Sequence, residues 1–363
     1  MAGFRSSNGY LGFGYQFAKG TGVRPSTFVR LSGEETISHA QEFNENRSLS
    51  ADRKIDSITK TVHRIVGTFA TYLRPGNGAE LLAYCLGADS VSSAGGLYTH
   101  TITPANTIPW ISFERYLDNV ERFIDCKINQ IVITGNTGQG VMIEVNFKAL
   151  DSAIQTAAWT ATYQTDEYFM FHDGTYTING TSNTNLAGFT ITINNALEDI
   201  PTTSFKLNDL LEGQFDIEVT YRLKFEASDT LYPAILYGAS TTLVDTLYTG
   251  NFTANLDYGS GTSERQCQLA IPYLKVVEES GKHLDPNTKA VYLQVRAKAY
   301  NVSGSSIITV TAKNDVSADF VSPSASSSPS SSSSPSSSES SSNSPSASSS
   351  LSPSSSESAS SSS

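Results

Sequence analysis

The run from Thr61 to Leu150 constrains this chain most: a long strand pattern, a short Pro-led helix and further strands follow one another with almost no chemically reactive residue between them. Val62 to Leu73 is rich in β-branched and aromatic side chains and stops at Arg74-Pro75-Gly76, where proline removes a donor and glycine permits a turn. Ala79 to Leu86 then sets Leu81, Leu82, Cys85 and Leu86 on one helical face, with Gly87 where a helix commonly ends. Tyr98–Ile102, Trp110–Tyr116, Lys127–Ile133 and Val141–Ala149 alternate apolar with polar residues, the pattern of half-buried antiparallel strands. Such a segment reads as a building block rather than a reaction centre.

At 363 residues the chain can hold one large or two medium domains. Its formal net charge of −11, with no Lys/Arg cluster, argues against a site that grips phosphate. The same balance suits a surface past which DNA slides without sticking. Met1 to Gly9 lacks the apolar core of a signal peptide, and no window approaches the roughly 20 apolar residues of a membrane span, so a soluble protein made in a cytoplasm is expected. Cys85, Cys126 and Cys267 are odd in number and lie among apolar neighbours, which points to core packing rather than a disulfide framework.

Composition divides the chain into three parts. Residues 1–150 form a first β module carrying a long polar segment, 32–57, that includes Glu34, Glu35, Glu42, Glu45, Arg47, Arg53 and Lys54. A stretch of that length between two strands reads either as a hairpin arm that orders against a partner or as a solvated loop. Residues 151–316 are a second β-rich half, with strand candidates at Tyr168–Phe171, Gly188–Ile193, Gln214–Phe225, Gln268–Lys275, Val291–Tyr300 and Ile307–Thr311. The strand ending near Phe225, Pro233, the short apolar Ala234–Tyr237 and Gly238 echo the order from Val62 to Gly87, so one module is expected to occur twice. Residues 317–363 are dominated by serine with interspersed proline, a composition with nothing to bury, and are expected to be disordered.

The search for chemistry returns little. None of His39, His63, His100, His172 and His283 pairs at metal-ligand spacing with another His or a Cys, and no metal or cofactor is expected. His63 and His100 fall inside strand patterns, as structural histidines do. His172 precedes Asp173-Gly174, which is first of all a turn signal. Gly135-Asn-Thr-Gly-Gln-Gly140 leads into a strand instead of Lys-Ser/Thr and a helix, so it reads as a hairpin turn and not a phosphate loop. An enzyme is not expected.

Taken together, the first 150 residues resemble the tail tube proteins of long-tailed bacteriophages (siphoviruses). The resemblance rests on the succession Gly9–Phe28, Gly67–Pro75 running into Leu81-Leu82 and Leu86-Gly87, Tyr98–Pro104, and Cys126–Ile131 before Val145–Phe147. It leaves the serine-rich tail outside. It implies a mainly β fold, a β-sandwich or partial barrel with a flanking α-helix, whose subunits form rings stacked into the conduit for viral DNA ejection. Strands could pair across subunits to close the ring, and the 32–57 segment could reach the next ring. Two modules per chain would need three chains for a six-fold-like ring; one module would need six. The resemblance further implies tape measure and tail terminator partners, DNA passing without specific binding, and residence in the virion tail. The competing reading is a carbohydrate-binding adhesin module on a Ser-rich stalk, with Tyr168 and Tyr248 as its exposed aromatics.

Overall fold

The computed structural model describes residues 9–46, 57–225, 231–238, 242–279 and 291–321. The chain is mainly β and its sheets are open. The strands of the first half are β1 (Tyr10–Gln16), β2 (Thr27–Val29), β3 (Thr36–Asn46), β4 (Ser57–Tyr72), β5 (Gly87–Ala94), β6 (Leu97–Pro104), β7 (Trp110–Tyr116), β8 (Val120–Asn136) and β9 (Met142–Gln155). Those of the second are β10 (Gly174–Ile178), β11 (Thr181–Ser182), β12 (Leu186–Asn194), β13 (Glu198–Ile200), β14 (Asp209–Leu211), β15 (Asp216–Lys224), β16 (Thr249–Tyr258), β17 (Arg265–Glu279), β18 (Tyr292–Ala299) and β19 (Thr309–Asn314). Helix α1 (Asn77–Leu86) follows β4 and helix α2 (Leu231–Tyr237) follows β15.

Helix α1 begins two residues before the apolar pattern does. The side-chain oxygen of Gln164 accepts the Asn77 N–H at 2.9 Å, satisfying a helix-end donor that no residue of the helix could. All ten residues are buried, and Gly87 ends the helix at φ +97°, its N–H donating to the Ala83 carbonyl.

Backbone pairing runs antiparallel through a continuous sheet in the order β3, β4, β9, β8, β12, β15, β18, β17. Alternation gives this sheet one buried face: Ile65, Phe69, Val145, Ile191, Val219 and Val295 all point into the core. The first part of β8 carries a second layer through β7, β1 and β2, and the first part of β17 carries another through β16, β10 and β11. β19 pairs both with β17 and with β6 of the β5–β6 hairpin, tying the halves together again.

The pairing pattern of the first half recurs in the second. The order β3–β4–β9–β8–β7–β1–β2 is matched by β12–β15–β18–β17–β16–β10–β11. Irregularities recur as well. The β7–β8 ladder shifts register between Ile111 and Phe113 and the β16–β17 ladder between Gly250 and Phe252; the β8–β9 ladder shifts between Ile128 and Gln130 and the β17–β18 ladder between Val276 and Glu278.

Several local expectations are revised. Tyr168–Phe171 is not a strand: Met170 makes a single bridge to Gly140, and Phe171 opens a 3-10 turn through Asp173. Its apolar run plugs the core instead, with Phe169 fully buried. The polar segment is a strand over Thr36–Asn46, paired with β4 of its own chain, because β4 extends far enough to template it. Residues 316–321 pack on the body, Phe320 stacking on His100 at 4.2 Å, so the five residues 317–321 do not belong to the disordered tail assigned from composition. The serine-rich remainder lies outside the described residues.

Candidate assembly surfaces

The arm residues separate into three groups. Glu35 accepts from Arg115 at 3.2 Å, and Arg115 also donates to Glu121 at 2.9 Å. Glu121 receives the Nε2 side of His39 at 2.7 Å, and His39 Nδ1 lies 3.0 Å from His63 Nε2 with the two rings stacked. Burial first, then Lys60, hold the His63 pKa below its ordinary value. Glu42 pairs with Arg64, which also donates to Asp199 at 2.9 Å, while Lys148 donates to the same carboxylate at 2.8 Å. These contacts fasten the root of β3 to β4, β8 and the β13–β14 hairpin. Glu34 lines a cavity of about 830 Å³ shared with Arg30, Arg115 and Tyr163, and Glu45 stands exposed near the tip. Arg47, Arg53 and Lys54 lie outside the described residues.

A second surface was not readable from the sequence: the face of the long sheet opposite the core. Asn146, Gln130, Thr134, Thr190 and Thr220 lie half-buried there. Charge is present in both signs. Arg296 donates to Glu218 at 2.6 Å and to Glu278 at 3.4 Å, and Lys298 to Asp216 at 2.7 Å. The charges on this face are paired with one another rather than of a single sign. Alternation foretold a polar face on each strand, but not that eight such faces would join.

Buried polar groups elsewhere hold the body together. His100 reaches Asp89 at 2.8 Å through Nδ1 and the Val316 carbonyl at 2.9 Å through Nε2. Burial opposes its charge most strongly, but the Asp89 carboxylate together with the hydrogen bonds to the Val316 carbonyl and Asn314 outweighs it and raises the His100 pKa. Burial likewise pushes the Glu80 carboxyl up to about 7, against hydrogen bonds from Tyr84 and Thr27 that act the other way. The three cysteine thiols are buried and free, and burial pushes Cys85 and Cys267 up to about 12. That is the opposite of what a nucleophile or metal ligand needs. His172 is exposed, and its neighbour Asp173 accepts the Met170 N–H at 3.1 Å as part of the turn. Among the described residues no cluster of three or more His, Cys, Asp or Glu could hold a metal ion, and no helix is long and apolar enough to cross a membrane.

Open strand edges and a broad polar sheet face are surfaces through which a β protein can pair with further copies of itself. Residues 6–338 match the family model described as phage tail tube protein, and the chain belongs to that family. The match runs past Ser322 into the serine-rich segment, farther than the sequence motifs extended. No curated protein matches the chain.

Proposed function

We propose that this chain is the ring-forming subunit of a phage tail tube, that its halves are two copies of one module, and that three chains make each ring. The recurrence of strand order together with two register shifts carries this reading. Independent β folds of equal length share alternation, but not irregularities at matching rungs, since a bulge is a specific local device. Stacked rings then form the conduit for DNA ejection, lined by the polar face of the long sheet. Arg296 and Lys298 on that face are engaged by carboxylates, which lowers the number of uncompensated cations that DNA phosphates meet.

The arm, with Glu34, Glu35, Glu42, Glu45, Arg47, Arg53 and Lys54, reaches the adjacent ring, while tape measure and tail terminator proteins meet the lumen and the tube end. The subunit is made in the host cytoplasm and ends in the virion tail, and the role requires no catalysis. Electron microscopy of assembled protein tests the stoichiometry: three chains per ring with six-fold-like density is expected. Six chains per ring would reject the two-module reading, and a protein that never forms rings would reject the function.

A further inference from the structure

Each half of the chain offers one donor strand and one acceptor edge, and only one of the two couples is closed within the chain. In the second half the donor is β12, which pairs with β15 on one side and on the other adds to β8, from Gln130 opposite Asn194 to Asn136 opposite Gly188. β12 takes up β8 just beyond the point where β7 leaves it at Cys126. The rung-by-rung match between the halves makes β3 the counterpart of β12, and β17 the counterpart of β8. Ile37 opposite Gly67 corresponds to Ile191 opposite Val219, and Gln130 beside Asn146 corresponds to Glu278 beside Arg296.

Among the described residues β3 pairs with β4 alone, and β16 covers its edge of β17 only as far as Lys275. β3 and β17 are the two end strands of the same sheet, seven inter-strand steps apart, or roughly 34 Å along it at ordinary spacing. They do not meet in one open sheet. Unpaired edges of this kind are covered by another chain or become a hazard, and a head-to-tail contact between different patches closes into a ring when its rotation allows.

We propose that β3 of one copy adds antiparallel to the β17 edge of a second copy, with Ala40 opposite Glu278, so that the junction between chains repeats the β12–β8 junction inside the chain. This rests on the ring reading above and identifies the surfaces that close the ring. The register follows from the internal junction, where Asn194 faces Gln130; the next rung sets His39 opposite Glu279. Backbone hydrogen bonds supply the attraction, and the side-chain pairs set the register.

The test is disulfide trapping in assembled tubes. Ala40→Cys with Glu278→Cys, and separately His39→Cys with Glu279→Cys, place cysteines on directly opposed rungs. Rungs alternate between wide and close spacing, so one of the two pairs lies within disulfide reach. The native cysteines are buried and free, and do not compete. Mild oxidation is expected to give a reducible covalent species that stops at three chains, with neither single substitution linking and the slipped pair Ala40→Cys with Glu279→Cys linking at least tenfold less.

Tubes seen by microscopy without this cross-link, or with equal linking in the slipped pair, would overturn the β3–β17 junction and leave the ring reading standing. Absence of rings in the unsubstituted protein would instead reject the ring reading, and the junction with it. Should the double variants fail to assemble, hydrogen exchange on the unsubstituted protein decides: Ala40 and Glu278 amides, or their immediate strand neighbours, gain protection on assembly, and no gain would reject the junction.

Discussion

The ring of Phe147 fills the space that a side chain on Gly67 would need: the two residues face each other across the β4–β9 ladder, and a Cβ on Gly67 would lie 2.3 Å from the ring. Phe147 cannot retreat, because it is fully buried and stacked on Phe113 at 4.1 Å. At the matching rung of the second half, Val219 faces Ala297, so size is exchanged between the two strands.

This exchange predicts a compensating pair. Gly67→Ala should cost about 1–3 kcal/mol by overpacking, and Phe147→Ala about 3–5 kcal/mol by leaving a cavity. Gly67→Ala combined with Phe147→Ala should cost less than the two single changes together, by about 0.5–3 kcal/mol. Denaturant unfolding of the four proteins measures the coupling, and simple additivity would refute it.

Lys127 is a buried cation that depends on one carboxylate. It donates to Glu212 at 2.7 Å and to the Leu210 carbonyl at 2.9 Å, with its ammonium 4.3 Å from the Trp110 ring. Glu212→Ala should destabilise by about 3–5 kcal/mol, since it strands the charge, whereas adding Lys127→Met should recover much of the loss. Thermal unfolding of both variants tests the order.

The stability contributed by Glu80 and His100 should fall as pH rises from below 4.5 to above 7, while His63, whose pKa is lowered, contributes in the opposite sense. Glu80 is neutral in the fold, with its pKa at about 7 against an ordinary 4.5, so its contribution is complete at acid pH and is lost as pH climbs through about 7. His100, whose pKa is raised, acts in the same direction: its charged contact with Asp89 and Val316 is complete below the ordinary histidine range and fades as pH passes the raised value. Glu80→Gln should flatten its share of the slope in unfolding measured across that window, and an unchanged slope would count against the assignment.

The arm can be shortened without disturbing its root. Ile37 is buried and Glu35 is paired with Arg115, so removing all of β3 would damage the body. Replacing residues 43–60 by Asn-Gly joins Glu42 to Thr61 through a two-residue hairpin turn. Rings are expected to form and to stop stacking. Tubes of normal length by electron microscopy would remove the inter-ring role.

Truncation after Val321 retains Phe320, whose N–H donates to Asp89 at 3.0 Å. Assembly should be unchanged. Truncation after Asp315 should lower thermal stability instead, because it removes the Val316 carbonyl from His100 and the Phe320 ring above it.

Regular alternation was the readable part of the fold. Trp110–Tyr116 is the strand the pattern marks, residue for residue. β16 was missed although Phe252, Ala254 and Leu256, all fully buried, alternate with Asn251, Thr253, Asn255 and Asp257, because Asn, Asp and Gly are poor strand formers and mask the alternation of these three apolar residues. β5 was missed because Gly87-Ala-Asp-Ser-Val-Ser-Ser-Ala94 has almost no apolar face; pairing with β6 makes it a strand. Glu35 and Glu42 were legible as arm residues, but their engagement by Arg115 and Arg64 was not, because those partners lie far along the chain.

The sequence by itself determined which side of the regularly alternating strands is buried and where α1 ends at Gly87, because both follow from residue type and local period. Only the tertiary structure decided which strand lies beside which: that β12 of the second half completes β8 of the first, that register shifts fall at matching rungs, and that β3 and β17 end the sheet. Backbone hydrogen bonds are blind to side-chain identity, so alternation names the face a strand buries but never its neighbour.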